Sequence, residues 1–240
     1  VRLLSQVALG LDDAHEKKLV HRDLKPENLF LCQTSDGDMV KVLDFGCVRD
    51  NANTAKKLTV MGTTIGSPYY MPPEQAQGLD SLDRRADVWA LGAIAYECLT
   101  GQVPFKGVNG PSILLEILTR EPTLPSQVAT SIRIDVPRGV DEALMRALKK
   151  TVGLRAATAG QLADDFGHGF GLEGDHRGWA TTSEQQIGEQ IAARLRSLMD
   201  TTTVPRQIGS VTDAFFGVQE GLGASSRPSF PTESERSTTN

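Results

Sequence analysis

Residues Val20 to Gly46 read VHRDLKPENLFLCQTSDGDMVKVLDFG. Five acids, two lysines, an arginine and a histidine flank two short apolar runs, Leu29 to Leu31 and Met39 to Leu43. The segment between the runs carries Asp36-Gly37, a turn signal, so the stretch predicts an antiparallel hairpin. A hairpin sets the residue before its first strand beside the residue after its second. Asn28 and Asp44 are therefore expected together at its open end, with Asp23 on the entering loop and Lys25 between Asp23 and Asn28.

A carboxylate and an amide oxygen suit a hard cation such as Mg2+, which takes few protein oxygens and fills its shell from water and phosphate. With a further carboxylate and an amine converging there, the set fits in-line phosphoryl transfer. That reaction needs positioning and charge neutralisation rather than a protein nucleophile.

Outward from the hairpin the pattern is helical. Leu3, Leu4, Val7, Leu11 and Ala14 follow helical spacing from the first residue with no cap before them, so the chain is expected to open inside a helix and to be truncated at its N-terminus. RRADVWALGAIAYECLTG reads as a long buried helix ended by Gly101. Further helices are expected at Ser112 to Leu118, Val140 to Leu148 and Ala157 to Phe166. The glycine-rich GHGFGLEGD then reads as a linker, with His168 and His176 as loop residues, before an amphipathic helix from Glu184 to Met199 that fits either a partner or the body of the protein. From Thr201 to Asn240, twenty of forty residues are Ser, Thr, Gly or Pro, a composition expected to stay disordered.

A net charge of -5, from 25 basic and 30 acidic residues, argues against a nucleic-acid partner. The three cysteines, Cys32, Cys47 and Cys98, form no paired motif, and no early apolar run resembles a signal peptide, which points to a cytoplasmic setting. The most apolar window, VWALGAIAYECLT, is shorter than the ~20 residues that span a bilayer and contains Glu97, so no membrane span is expected.

HRDLKPEN followed by DFG resembles the catalytic and metal-binding signatures of eukaryotic-like (bacterial-type) serine/threonine protein kinases. The resemblance implies ATP and Mg2+ as cofactors and Ser or Thr hydroxyls of proteins as substrates. It implies that Asp23 accepts or orients the hydroxyl proton, that Lys25 contacts the transferring phosphate, that Asn28 and Asp44 hold Mg2+, and that Phe45 packs near His21. GSPYYMPPEQ, Gly66 to Gln75, resembles the docking segment that ends in Ala-Pro-Glu, with Pro72 for the alanine and Ser67 where threonine is more usual. By the same resemblance Asp87 of DVWALG bonds the backbone of the catalytic loop and Arg155 pairs with Glu74. Arg22 is either a structural ion-pair former or the arginine that meets a phosphorylated activation segment. Thr59, Thr63, Thr64 and Ser67 offer hydroxyls there for an activating kinase or autophosphorylation.

The expected fold is mainly α with a small antiparallel hairpin: the helical C-terminal lobe of a kinase over residues 1–166, a linker and amphipathic helix over 167–200, and a tail over 201–240. The family's N-terminal lobe, with its glycine-rich cover, strand lysine and helix glutamate, has no counterpart here. Two functions follow: a protein kinase, or a non-catalytic kinase lobe acting as a binding module. Phosphotransfer to a small molecule is a weaker third, opposed by the peptide-docking resemblance of GSPYYMPPE.

Overall fold

The expected hairpin forms, but Gly37 of the Asp-Gly signal is already in the second strand, opposite Thr34, and Asp36 lies outside the described residues. β1 (Leu29–Thr34) pairs antiparallel with β2 (Gly37–Val42), from Leu29 opposite Val42 to Thr34 opposite Gly37. The computed structural model describes residues 1–35, 37–45, 68–79 and 81–202, the last five as backbone only. Helices account for most of the rest: α1 (Arg2–Glu16), α2 (Pro73–Ala76), α3 (Arg85–Thr100), α4 (Gly110–Thr119), α5 (Pro125–Ala129), α6 (Arg138–Ala147), α7 (Ala159–Gly169), α8 (His176–Thr181) and α9 (Glu184–Thr202). Among the described residues no helix is long and apolar enough to cross a membrane.

α3 is the axis. Every residue from Ala86 to Tyr96 is buried, as expected for a helix apolar on all sides, which has no face to give to water. One side meets Val7, Ala8 and Leu11 of α1 and Leu162 and Ala163 of α7. The other packs Trp89, Ala93 and Tyr96 among Phe105, Ile117, Val140 and Leu144. Each fully buried side chain of this size contributes roughly 1.5–3 kcal/mol. The helix stops at Gly101, whose φ of +69° is the left-handed cap that glycine adopts without a Cβ clash, and whose N–H bonds Glu97 O at 2.7 Å.

The hairpin lies on α1. Val40 and Val42 point inward to the core while Met39 and Lys41 face out, and Val40 N donates to Gln6 Oε1 at 2.9 Å. This contact fixes how the loop Val20 to Asn28 returns toward α3.

Three sequence expectations are corrected. β2 ends at Val42, so Leu43 rather than Asp44 sits opposite Asn28. The helix expected to stop at Phe166 runs on to Gly169, and the supposed linker holds α8, anchored by Trp179 against Leu172 and Ile187. Both α8 and Ile187 of α9 pack within the unit Val1–Thr202, because Trp179 and Ile187 supply the apolar surface that the glycines lack. His168 and His176 are accordingly helical, and His176 is buried, donating its backbone N–H to Asp164 Oδ1 at 2.7 Å and pairing Nδ1 with the same oxygen at 2.9 Å.

Candidate active site

The loop between α1 and β1 carries the charged motif, and its backbone explains its shape. Arg22 adopts φ +65°, a left-handed conformation that a non-glycine residue holds only against a cost of about 1–2 kcal/mol. Its N–H donates to Asp87 Oδ1 at 2.9 Å and that of His21 to Asp87 Oδ2 at 2.8 Å, so one buried carboxylate on α3 grips two successive amides. His21, also buried, donates from Nε2 to Leu43 O at 2.8 Å, tying the loop to the hairpin's exit, and its ring meets Phe45 edge-on at 5.0 Å.

These bonds assemble the small polar set. Lys25 Nζ lies 3.1 Å from Asp23 Oδ2, and Asn28 Nδ2 donates to Asp23 O at 2.7 Å. The amide nitrogen of Asn28 is thereby committed, and its oxygen is the atom left for a ligand. Leu43 N donates to Asn28 O at 2.9 Å, which brings Asp44, with φ +57°, one residue beyond that bond. Asp44 is exposed and Asn28 buried.

Among the described residues no group of three or more His, Cys, Asp or Glu is arranged to hold a metal. The donor set of Asn28 and Asp44 still fits Mg2+, which keeps several waters and phosphate oxygens when only one or two protein ligands are offered.

Glu74 and Arg155 meet as expected from the resemblance, in a buried bidentate pair with both contacts at 2.7 Å. Arg22 makes no side-chain contact among the described residues that would mark it as an ion-pair former. Thr59, Thr63, Thr64 and Ser67, and Cys47 after the DFG, lie outside the described residues.

Two features escaped the sequence reading. Tyr70 donates its hydroxyl to Glu97 Oε2 at 2.5 Å, and burial together with that carboxylate holds the phenol well above its ordinary range. His15 bonds Asp87 from behind, Nε2 to Oδ2 at 2.7 Å. An i,i+3 pair of Asp12 and His15 on an apolar helix was its only local signal. The glycine spacing of Gly169 to Gly174, GFGLEG, imitates a phosphate loop, but it joins two helices with no strand ahead of it. A cavity of about 650 Å³ lined by Leu4, Val7, Leu29, Leu91, Phe166 and Ile187 is apolar and touches none of Asp23, Lys25, Asn28 or Asp44.

The protein kinase domain model matches residues 1–165. Serine/threonine-protein kinase pkn3 of Myxococcus xanthus is 40% identical over 162 residues, 66% of this chain and 29% of that protein. Serine/threonine-protein kinase pkn2 of the same organism is 35% identical over 163 residues, 68% of this chain and 19% of that protein. Serine/threonine-protein kinase PknB of Mycobacterium tuberculosis is 33% identical over 166 residues, 69% of this chain and 25% of that protein. The chain thus spans less than a third of the length of these relatives. The match runs through the charged loop, the hairpin, Glu74, Asp87 and Arg155, and on that basis the chain belongs to the protein kinase domain family, with serine/threonine-protein kinases among its relatives.

Proposed function

We propose that residues 1–169 form the helical C-terminal lobe of a serine/threonine protein kinase, which transfers the γ-phosphoryl group of ATP to Ser or Thr hydroxyls of proteins. The observation that carries this reading is the locked triangle of Asp23, Lys25 and Asn28, with contacts of 3.1 and 2.7 Å, backed by the grip of Asp87 on the same loop. Asp23 takes or orients the hydroxyl proton, the hydroxyl oxygen forms a bond to the γ-phosphorus as the bond from that phosphorus to the bridging oxygen breaks, and ADP leaves with the bridging oxygen and the electron pair of the broken bond. Lys25 meets the phosphoryl oxygens, and its 3.1 Å contact keeps Asp23 beside them. Asn28 and Asp44 would hold Mg2+, which when bound would neutralise charge on the phosphates. Glu74 and Arg155 set the docking segment on α3, and Asp87 sets the loop.

The test uses the 240 residues as they stand. ATP affinity is measured by calorimetry with Mg2+ present, and phosphate transfer is measured on a generic protein substrate with Asp23→Asn as the blank. The hairpin leaves Phe30 and Leu31 more than half exposed, a lobe face with nothing over it among the described residues. These residues alone are therefore expected to bind ATP weakly and to transfer little phosphate, because in-line geometry needs the nucleotide held from both sides. Joined to the glycine-rich lobe of a serine/threonine kinase, they are expected to gain Asp23-dependent transfer. If the joined protein binds Mg-ATP and remains silent, the kinase reading fails in favour of the binding module.

A further inference from the structure

Behind the loop runs a ladder of alternating charge. Asp87 accepts the amides of His21 and Arg22 on one side and His15 Nε2 on the other. The second nitrogen of His15, Nδ1, lies 3.7 Å from Asp12 Oδ1. Asp12 in turn accepts Ala159 N at 3.1 Å and Gly160 N at 2.9 Å, the first two amides of α7, where the helix dipole is positive. The order is helix dipole, carboxylate, imidazole, carboxylate, loop amides. The side chains of His15 and Asp87 are 3% and 1% exposed, so solvent screens little of it.

Burial alone would lower the imidazole's affinity for its proton, but the carboxylates of Asp12 and Asp87 outweigh it and raise His15 to about 9. The carboxyl of Asp12 is held below its ordinary range: burial opposes this, and the His15 imidazolium 3.7 Å away together with the amide bonds from Gly160 and Ala159 overcomes it. Thr158 is the ordinary cap of α7 and accepts Gln161 N at 3.0 Å, while Asp12 reaches across from α1 to satisfy the two amides before it. His176 of α8, paired with Asp164, closes the far side: a Cβ on Gly160 would come within 2.6 Å of both Asp12 Oδ2 and His176 Cε1.

We propose that Asp12 is a positioning residue for the loop His21 to Lys25, fixing His15 against Asp87 so that the seating of α7 and α8 is transmitted to the loop. The functional meaning of that loop rests on the kinase reading, whereas the link itself is structural and is tested without activity.

Amide hydrogen exchange and histidine NMR titration are run on the 240-residue chain. Asp12→Asn and Gly160→Ala, the latter pushing Asp12 aside without changing charge, are expected to speed exchange at His21 and Arg22 at least tenfold. Asp165→Asn removes the 3.0 Å contact of α7 to Arg146 with no route to the loop, and is expected to leave those amides unchanged. The His15 midpoint is expected to fall by about one unit or more in Asp12→Asn. Unchanged exchange at His21 and Arg22 in a folded variant, or equal acceleration in Asp165→Asn, overturns the proposal. If neither variant folds, the unsubstituted chain decides: a His15 midpoint at or below 6.5 leaves no imidazolium for Asp12 to hold and overturns it equally.

Discussion

Arg155 holds Glu74 by two parallel bonds, Nη1 to Oε1 and Nη2 to Oε2, each 2.7 Å, although the two residues are 81 positions apart. Nothing of the arginine side chain is exposed, and Nε also donates to Lys149 O at 2.8 Å and Nη1 to Arg85 O at 3.0 Å. One cation thus joins α2, the start of α3 and the turn after α6. Glu74→Ala is expected to cost about 3–5 kcal/mol, since it strands a buried charge. Arg155→Met is expected to cost at least as much, since it removes a donor from three carbonyls, those of Arg85, Lys149 and Lys150, as well as from the carboxylate. Urea unfolding of both variants measures this, and a change under about 1 kcal/mol in either would show that the pair is not a structural tie.

Asp23→Asn keeps the shape of the loop residue and removes its ability to take a proton. In the chain joined to the glycine-rich lobe of a serine/threonine kinase, turnover is expected to fall by roughly a hundredfold or more, within the 10² to 10⁴ that positioned bases supply. Near-normal transfer by a folded Asp23→Asn protein removes Asp23 from the chemistry. Asp44→Ala is expected to lose activity in a way that high Mg2+ partly restores, read from turnover against metal concentration.

The imidazole of His15 makes stability depend on pH. Its folded value, about 9, lies above the ordinary 6.5, so its contribution is complete below pH 6.5 and is lost as pH rises through 9. Lys150 acts oppositely: burial lowers its ammonium to about 8, so the folded state gains relative stability between pH 8 and the ordinary 10.5. The two are separated by comparison with His15→Gln. Melting temperatures between pH 6 and 8 are expected to fall for the unsubstituted chain and to stay flat in the variant. Parallel curves would contradict the charged state of His15.

Trp179 carries α8. It is 4% exposed, donates Nε1 to Glu173 O at 2.9 Å and lies edge-on to His168 at 5.4 Å. Trp179→Ala is expected to cost about 3–5 kcal/mol, and to raise hydrogen exchange over residues 176–202 more than over α3. Uniform loosening of the whole unit would instead mean that α8 is not a locally seated element.

The hairpin, the buried axis helix and the positions of Asp23, Lys25 and Asn28 were legible in the sequence because their signals are local. A turn dipeptide, an apolar run closed by glycine and a charged motif each act within a few residues of chain. The limits of α7 and the existence of α8 were not legible, since the six residues HRGWAT are too few to show a helical period and are held by Trp179 and by the cap of Asp175 on Arg177 N and Gly178 N. The ladder from α7 to the loop was equally invisible. Asp12 meets Gly160 across 148 positions and His15 meets Asp87 across 72, and a buried charge is satisfied by whichever partner the folded chain delivers, not by its neighbours in sequence. Local preference therefore determined the elements, and the three-dimensional pairing of buried charges decided how the loop between them is held.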